Sequence, residues 1–419
     1  MKKFLTAILM SLMITTPVHA MPVQEAVETA LKNNPSLQNT EQSIAIAEES
    51  LKAARGKKGV SISASGSLRA SKTEGVEDSE SASTGLTASL PLYSGNKLES
   101  AIKSAELGIE IAKLNFSQAQ DDLVYKVVIA YIDALENLAT AKVNSEHEQN
   151  LTEHERMISA QYEAGAKAKI DLLRAQVETS NAKQDAINSY GSYEVKLTNL
   201  ATLMSIDSIA TLTVENFETS INPSEVEKYL TEADENRNDL KADALKIEQS
   251  ELDVISAKAG WLPNVNANIG TDFNAASREW HITPDASAGI SASWNIFDSG
   301  VTRSEVDTAK VKVEQAKLSM DTNRDSIHES VVAAHKNLKI ALLRLTTTRR
   351  AVELAEEERY IATERYNAGE GILLDVLDAE YALNTAKKND VSARYDVIRY
   401  TCELAHATGD TLKAINFSK

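Results

Sequence analysis

The sequence predicts a mixed α and β chain, built from two copies of one helix-strand-strand-helix-helix unit. Three observations lead there. First, QYEAGAKAKIDLLRAQ from Gln161 returns in loose form as RYNAGEGILLDVLDAE from Arg365, an offset of 204 residues. Second, 96–164 and 301–368 read as very long helices: the second has no Pro or Gly and the first only Gly108. Third, four short segments alternate apolar and polar residues as strands do.

The N-terminus has Lys2 and Lys3, an apolar run and Val18-His19-Ala20, so 1–20 is expected to be a signal peptide. Position 21 is Met rather than Cys, so no lipid is expected there. The 204-residue offset also pairs Gly56 with Gly260, Gly66 with Gly270, Ala112-Lys113-Leu114 with Ala316-Lys317-Leu318, and Leu200-Ala201 with Leu404-Ala405. Repeat 1 spans 21–220, with a helix over 22–55, strands over 59–70 and 84–93, the long helix 96–164 and a helix over 167–204. A connector, 205–224, carries Thr211-Leu212-Thr213-Val214 and Pro223. Repeat 2 spans 224–419, with a helix over 225–259, strands over 263–273 and 285–297, the long helix 301–368 and a helix over 372–408. A helix as long as 301–368 would run about 100 Å and must pack lengthwise on others. In each repeat the two shorter helices together match the long one, so they can stack end to end beside it.

The strands are amphipathic. Val60, Ile62, Ala64, Leu68 and Ala70 alternate with Ser61, Ser63, Ser65, Ser67 and Arg69. Val265, Ala267, Ile269 and Phe273 alternate with Asn264, Asn266, Asn268 and Asp272. Leu86, Ala88, Leu90 and Leu92 share one face, as do Ala286, Ala288, Ile290, Ala292, Trp294 and Ile296. The opposite face is nearly all Ser and Asn, as suits a watery lumen. Trp261, Trp280 and Trp294 lie at strand ends, with Tyr93 and Phe297 nearby, like an aromatic girdle at a membrane surface. Four strands cannot close a membrane barrel, and open edges are not tolerated in lipid. Three chains would give a 12-stranded outer-membrane β-barrel, four strands per protomer, continued by a 12-helix α-barrel.

The bulk composition agrees. The net charge of −17 argues against a nucleic-acid partner. The single cysteine, Cys402, excludes an internal disulfide and reads as a small buried side chain. No stretch after residue 20 is apolar for long enough to make a membrane helix. His147 and His154, like His328 and His335, stand seven apart, about 10 Å along a helix and too far for one metal, so a solvated or lumen face is expected. Glu356-Glu357-Glu358 reads as a wet face. No catalytic, cofactor or metal motif is found, and neither enzyme activity nor a cofactor is expected.

Taken in register, these features resemble the TolC-like outer-membrane efflux and export channels over essentially the whole mature chain. The resemblance rests on the duplication and on two strand-to-helix junctions, Leu90-Pro91-Leu92-Tyr93-Ser94-Gly95 and Trp294-Asn295-Ile296-Phe297-Asp298-Ser299-Gly300. It rests also on two Tyr-x-x-Gly breaks, each followed by Asp-x-Leu. It implies a homotrimeric channel-tunnel in contact with outer-membrane lipid, with its helices in the periplasm. It further implies a periplasmic adaptor protein and an inner-membrane pump of ABC or RND type. The rival reading is a periplasmic coiled-coil structural or adaptor protein whose hairpins form a soluble sandwich.

The glycine breaks are then tight turns at the periplasmic tip, where a helix end commonly needs a left-handed residue. Ala164, Gly165, Ala368, Gly369, Glu370 and Gly371 would form adaptor-docking turns, with Tyr162 and Tyr366 at the entrance. Asp171, Asp375 and Asp378 have two readings. In first helical turns they are stabilised by the helix dipole. Alternatively they line the constriction, where Asp375 and Asp378, three apart on one face, would form a ring of six carboxylates in a trimer. The best-known members of the family carry an arginine where this chain has Gly371. Lys167, at the matching place in repeat 1, or Arg174 is expected to supply the basic partner.

Overall fold

Residues 20–72, 79–214, 225–276 and 283–411 are described by a computed structural model. Trp280, the leader before Ala20 and the end of the connector with Pro223 lie outside them. The elements, in order, are α1 (Val23–Asn33), α2 (Pro35–Gly56), β1 (Ser61–Ser71), β2 (Ser79–Tyr93), α3 (Lys97–Glu163) and α4 (Lys169–Met204). The second half matches them with α5 (Val226–Asn236), α6 (Asn238–Lys258), β3 (Asn264–Ala276), β4 (Thr283–Ser293), α7 (Val301–Asn367) and α8 (Leu373–Ala407).

Two expected helices, 22–55 and 225–259, are each broken. Pro35 has no N–H to continue a helix, so α1 ends at Asn33 and is capped by Asn34, whose side chain donates to the Leu203 carbonyl at 2.9 Å. In the second half no proline is needed: Arg237 is extended (ψ 121°), and Asp239 accepts from its own helix start, Leu240 N–H, at 2.9 Å.

The chain forms two compact units that do not follow the duplication. One collects 1–35, 121–230 and 331–419; the other 36–120 and 231–330, so each draws matched pieces from both halves. In the first unit Val124, Val127, Tyr131 and Leu135 of α3 are buried at helical spacing. Val331, Ala334 and Leu338 of α7, Leu200 and Met204 of α4, and Val397 and Leu404 of α8 are buried as well. Tyr131 Oη lies 2.8 Å from the carbonyl oxygens of both Met21 and Thr213. It ties down a short bridge in which Met21 N–H donates to Thr211 and Thr213 N–H donates to Met21, each at 3.0 Å. Cys402 is buried, and desolvation pushes its thiol pKa up to about 12.

The second unit holds one antiparallel sheet in the order β1-β2-β3-β4. Near the helix end of the sheet its register puts like with like. Ser61 faces Ser89 and Ser89 faces Asn268 on one side, while Ile62 faces Ala88 and Ala88 faces Ile269 on the other. Polar cross-links stitch the first face, with Ser67 to Ser83 and Asn268 to Ser291 both at 2.8 Å. β4 stops at Ser293, short of the expected 297, because its partner β3 begins at Asn264, just after Pro263. A bulge between Pro91 and Tyr93 takes Leu92 out of the alternation with Leu90.

The strand-to-helix junctions repeat in conformation as well as sequence. Gly95 and Asn96 (φ 63° and 70°) match Ser299 and Gly300 (φ 55° and 89°), two consecutive left-handed residues each time. Ser94 and Asp298, at matching positions, then cap α3 and α7: Leu98 N–H donates to Ser94 Oγ at 3.3 Å and Thr302 N–H to Asp298 Oδ2 at 2.8 Å.

Candidate functional site

The two tip turns are built alike, from hydrogen bonds that glycine permits. Gly165 N–H donates to the Tyr162 carbonyl at 2.9 Å and Ala166 N–H to Gln161 at 2.8 Å. Gly369 N–H donates to Tyr366 at 3.1 Å and Glu370 N–H to Arg365 at 2.9 Å. This nested pair is the Schellman motif, and both glycines take φ +78° to make it. Gly371 answers a different need. A Cβ there would stand 3.1 Å from the Tyr366 amide nitrogen, a tight approach of the chain to the end of α7.

Asp171 and Asp375 fall in the first turns of α4 and α8. Asp375 and Asp378 are exposed and share an open groove of about 540 Å³ with Glu357, Glu358 and Arg365 of α7. Arg174 is exposed and Asp171 half-buried. The tyrosines part company: Tyr162 is 37% exposed, whereas Tyr366 is 9% exposed. Tyr366 packs with Leu151 and Ile158 of α3, Ala175 and Ala182 of α4, and Leu373, Val376 and Leu377 of α8. The Lys167 ammonium sits 4.1 Å from the Tyr366 ring centroid, a cation–π contact that joins the first turn to the second repeat. In the other unit, Trp294 Nε1 donates to the Trp261 carbonyl at 3.0 Å, and Tyr93 and Phe297 are exposed.

His147 and His154 do not sit on a wet face. Their side chains are 12% and 13% exposed, and between them lies Glu380 of α8, itself 2% exposed. Glu380 Oε2 is 3.9 Å from His147 Nδ1, and Oε1 is 3.6 Å from His154 Nε2 and 3.5 Å from an Arg359 guanidinium nitrogen. Burial raises the Glu380 pKa, but the two histidines and Arg359 outweigh it and hold the carboxyl well below its ordinary range. A signal for Glu380 was present: it falls in register with Val376, Leu377 and Leu383 on the buried face of α8.

The fold can now be set beside known proteins. The family model described as outer membrane efflux protein matches residues 26–205 and 229–410. The chain belongs to the outer membrane efflux protein family. It is 21% identical over 394 residues to the outer membrane efflux protein BepC of Brucella suis, covering 92% of this chain and 84% of that one. It is 22% identical to TolC of Escherichia coli over 324 residues, 74% of this chain and 66% of that one. The solved outer-membrane channel OprN superposes with a TM-score of 0.80 at 21% identity, over 93% of this chain and 90% of that one. As an outer membrane efflux protein, the chain is an outer-membrane channel component rather than a periplasmic scaffold, and its relatives are channels rather than enzymes. Among the described residues no helix is long and apolar enough to cross a membrane.

Proposed function

We propose that the chain is one protomer of a homotrimeric export duct, with the sheet in outer-membrane lipid and the helices in the periplasm. One observation carries this. Every residue of β1 and β4 is exposed, and one face bears Ile62, Leu68 and Ile290 at 76%, 86% and 72% exposure. A sheet so apolar, with two open edges, needs lipid on one face and neighbouring strands at each end. Three copies of four strands meet both needs, and the Ser and Asn face then lines the lumen.

In this reading Asp375 and Asp378 ring the periplasmic entrance with Asp171, and Tyr162, Lys167 and Arg174 complete the constriction, with the buried Tyr366 supporting Lys167. The Lys167–Tyr366 contact favours Lys167 over Arg174 as the basic partner. The turns at 164–165 and 368–371 face a periplasmic adaptor, which couples the duct to an ABC or RND-type inner-membrane pump. Tyr93, Trp261, Trp280, Trp294 and Phe297 mark the membrane surface. Native mass measurement of the protein extracted from outer membranes in mild detergent tests the assembly. A three-chain particle is expected, and a monomer released without detergent would overturn it. Cation selectivity in planar bilayers should drop in the Asp375→Asn/Asp378→Asn variant.

A further inference from the structure

The seam between α3 and α8 carries more buried polarity than a packing contact needs. Glu380 is buried there at 3.5–3.9 Å from three nitrogen-bearing side chains, longer than a charge-assisted hydrogen bond usually is. Beside it, Arg359 Nε and Asn384 Oδ1 are buried without hydrogen-bond partners. A small pocket lined by His147, Asn150, Glu380 and Asn384 adjoins it, with an ion pair between Lys387 and Glu146 at 2.8 Å on its rim. Unpaired buried groups beside a loosely held carboxylate leave room for a second arrangement that pairs them.

The repeat shows that the seam is particular. The residue matching Glu380 is Gln176, and those matching His147, His154 and Arg359 are Ala351, Glu358 and Glu155. None of the four is kept. The duplication therefore supplies no such cluster beside α4, and this one does not follow from the fold itself. It also lies close to the proposed entrance, since Glu380 follows Asp378 by two residues and Arg359 precedes Tyr366 by two helical turns.

We propose that Glu380 is a positioning residue for the periplasmic entrance, and that its contact with His147 and His154 is a proton-sensitive latch holding α8 against α3. The inference rests on the entrance reading above. The groups facing Glu380 are His147 and His154 from α3, with Glu146 beyond them, Arg359 from α7 and Lys387 from its own helix. α4 brings Leu172, Ala175 and Ala182 to the neighbouring core, none of them titratable. Histidine as a residue type changes charge between about pH 5 and 8, and Glu380, held well below its ordinary range by the side chains around it, stays ionised through that window. Acidification adds a proton donor and a positive charge on the histidine side while the carboxylate keeps its charge. The latch tightens, α8 is drawn onto α3, and Asp375 and Asp378 are held in the closed arrangement.

The test uses the full-length protein in two readouts, bilayer conductance and thermal unfolding in detergent, each from about pH 8 to about pH 5.5. For the wild type, resting conductance should fall about threefold on acidification while Tm rises. In His147→Gln/His154→Gln both profiles should flatten, and Glu380→Gln should conduct more at every pH. A Tm profile unchanged by the histidine substitutions overturns the latch, and that variant decides even where Glu380→Gln fails to fold. Conductance that ignores pH while Tm responds overturns the link to the entrance. If Asp375→Asn/Asp378→Asn leaves selectivity and conductance untouched, the entrance reading fails by itself, and the Tm arm still decides the latch.

Discussion

The helices that leave the two tip turns, α4 and α8, start from the same Schellman motif yet meet different surroundings. α8 buries Leu373, Val376, Leu377, Glu380, Leu383, Val397 and Leu404. α4 buries Ala175, Ala182, Tyr193, Leu200 and Met204, while Ile170, Leu173, Val177 and Ile187 are exposed. Matching repeats should bury matching faces. One chain covers the second return helix and leaves the first open, as expected if another copy of the chain covers it. The polar cluster around Glu380 lies on the covered side, where low dielectric makes each charge count.

The largest way to break this comparison is at Glu380. Glu380→Ala removes a buried carboxylate from three partners and should cost about 3–5 kcal/mol, somewhat less because Arg359 is partly exposed. The matching Gln176→Ala, on an exposed site, should stay within about 0.5 kcal/mol. Denaturant unfolding of both variants makes the check, and equal losses would show that the two helices are not differently packed. The pH dependence has a fixed sign. The Glu380 carboxyl is held below its unfolded value, so its stabilisation is complete above about pH 4.5 and is lost as pH falls through the lowered value. Wild type and Glu380→Gln should therefore converge in stability only in strong acid.

Ile187→Asp sharpens the comparison from the open side. It should leave the helical circular dichroism of the chain in place and shift the detergent particle from three chains to one. A trimer unaffected by the charge would mean that the α4 face stays wet. At the turns, Gly165→Ala and Gly369→Ala should each cost about 1–2 kcal/mol, because both need a left-handed backbone. Equal Tm losses would show that the turns remain equivalent where their helices do not. The smallest effect is expected for Lys167→Ala, about 0.5–1 kcal/mol from the lost contact with the Tyr366 ring, with a rise in resting conductance.

Much of this was legible in the residues. Tyr-x-x-Gly at 162–165 and 366–369 marks two turns because a left-handed helix end admits few residues besides glycine. The Ser and Asn alternation through β1 and β3 marks a two-sided sheet because strand side chains have period two. Pro35 could have warned of the break inside 22–55, but Arg237 could not, since no local preference demands an extended residue there. A spacing argument that is sound for metals puts His147 and His154 on a solvated or lumen face. Spacing says nothing of what lies opposite, and Glu380 is far away in sequence.

The sequence by itself determined the duplication, the long helices, the glycine turns and the two-faced strands. Each is a local or periodic property, written within a few residues of where it acts. Only the tertiary structure decided that Tyr366 is buried where Tyr162 is not, that Lys167 meets the Tyr366 ring, and that Glu380 falls between two histidines. Those contacts depend on the axial register of one helix against another. That register is settled by the summed packing of many side chains, so no single motif announces it.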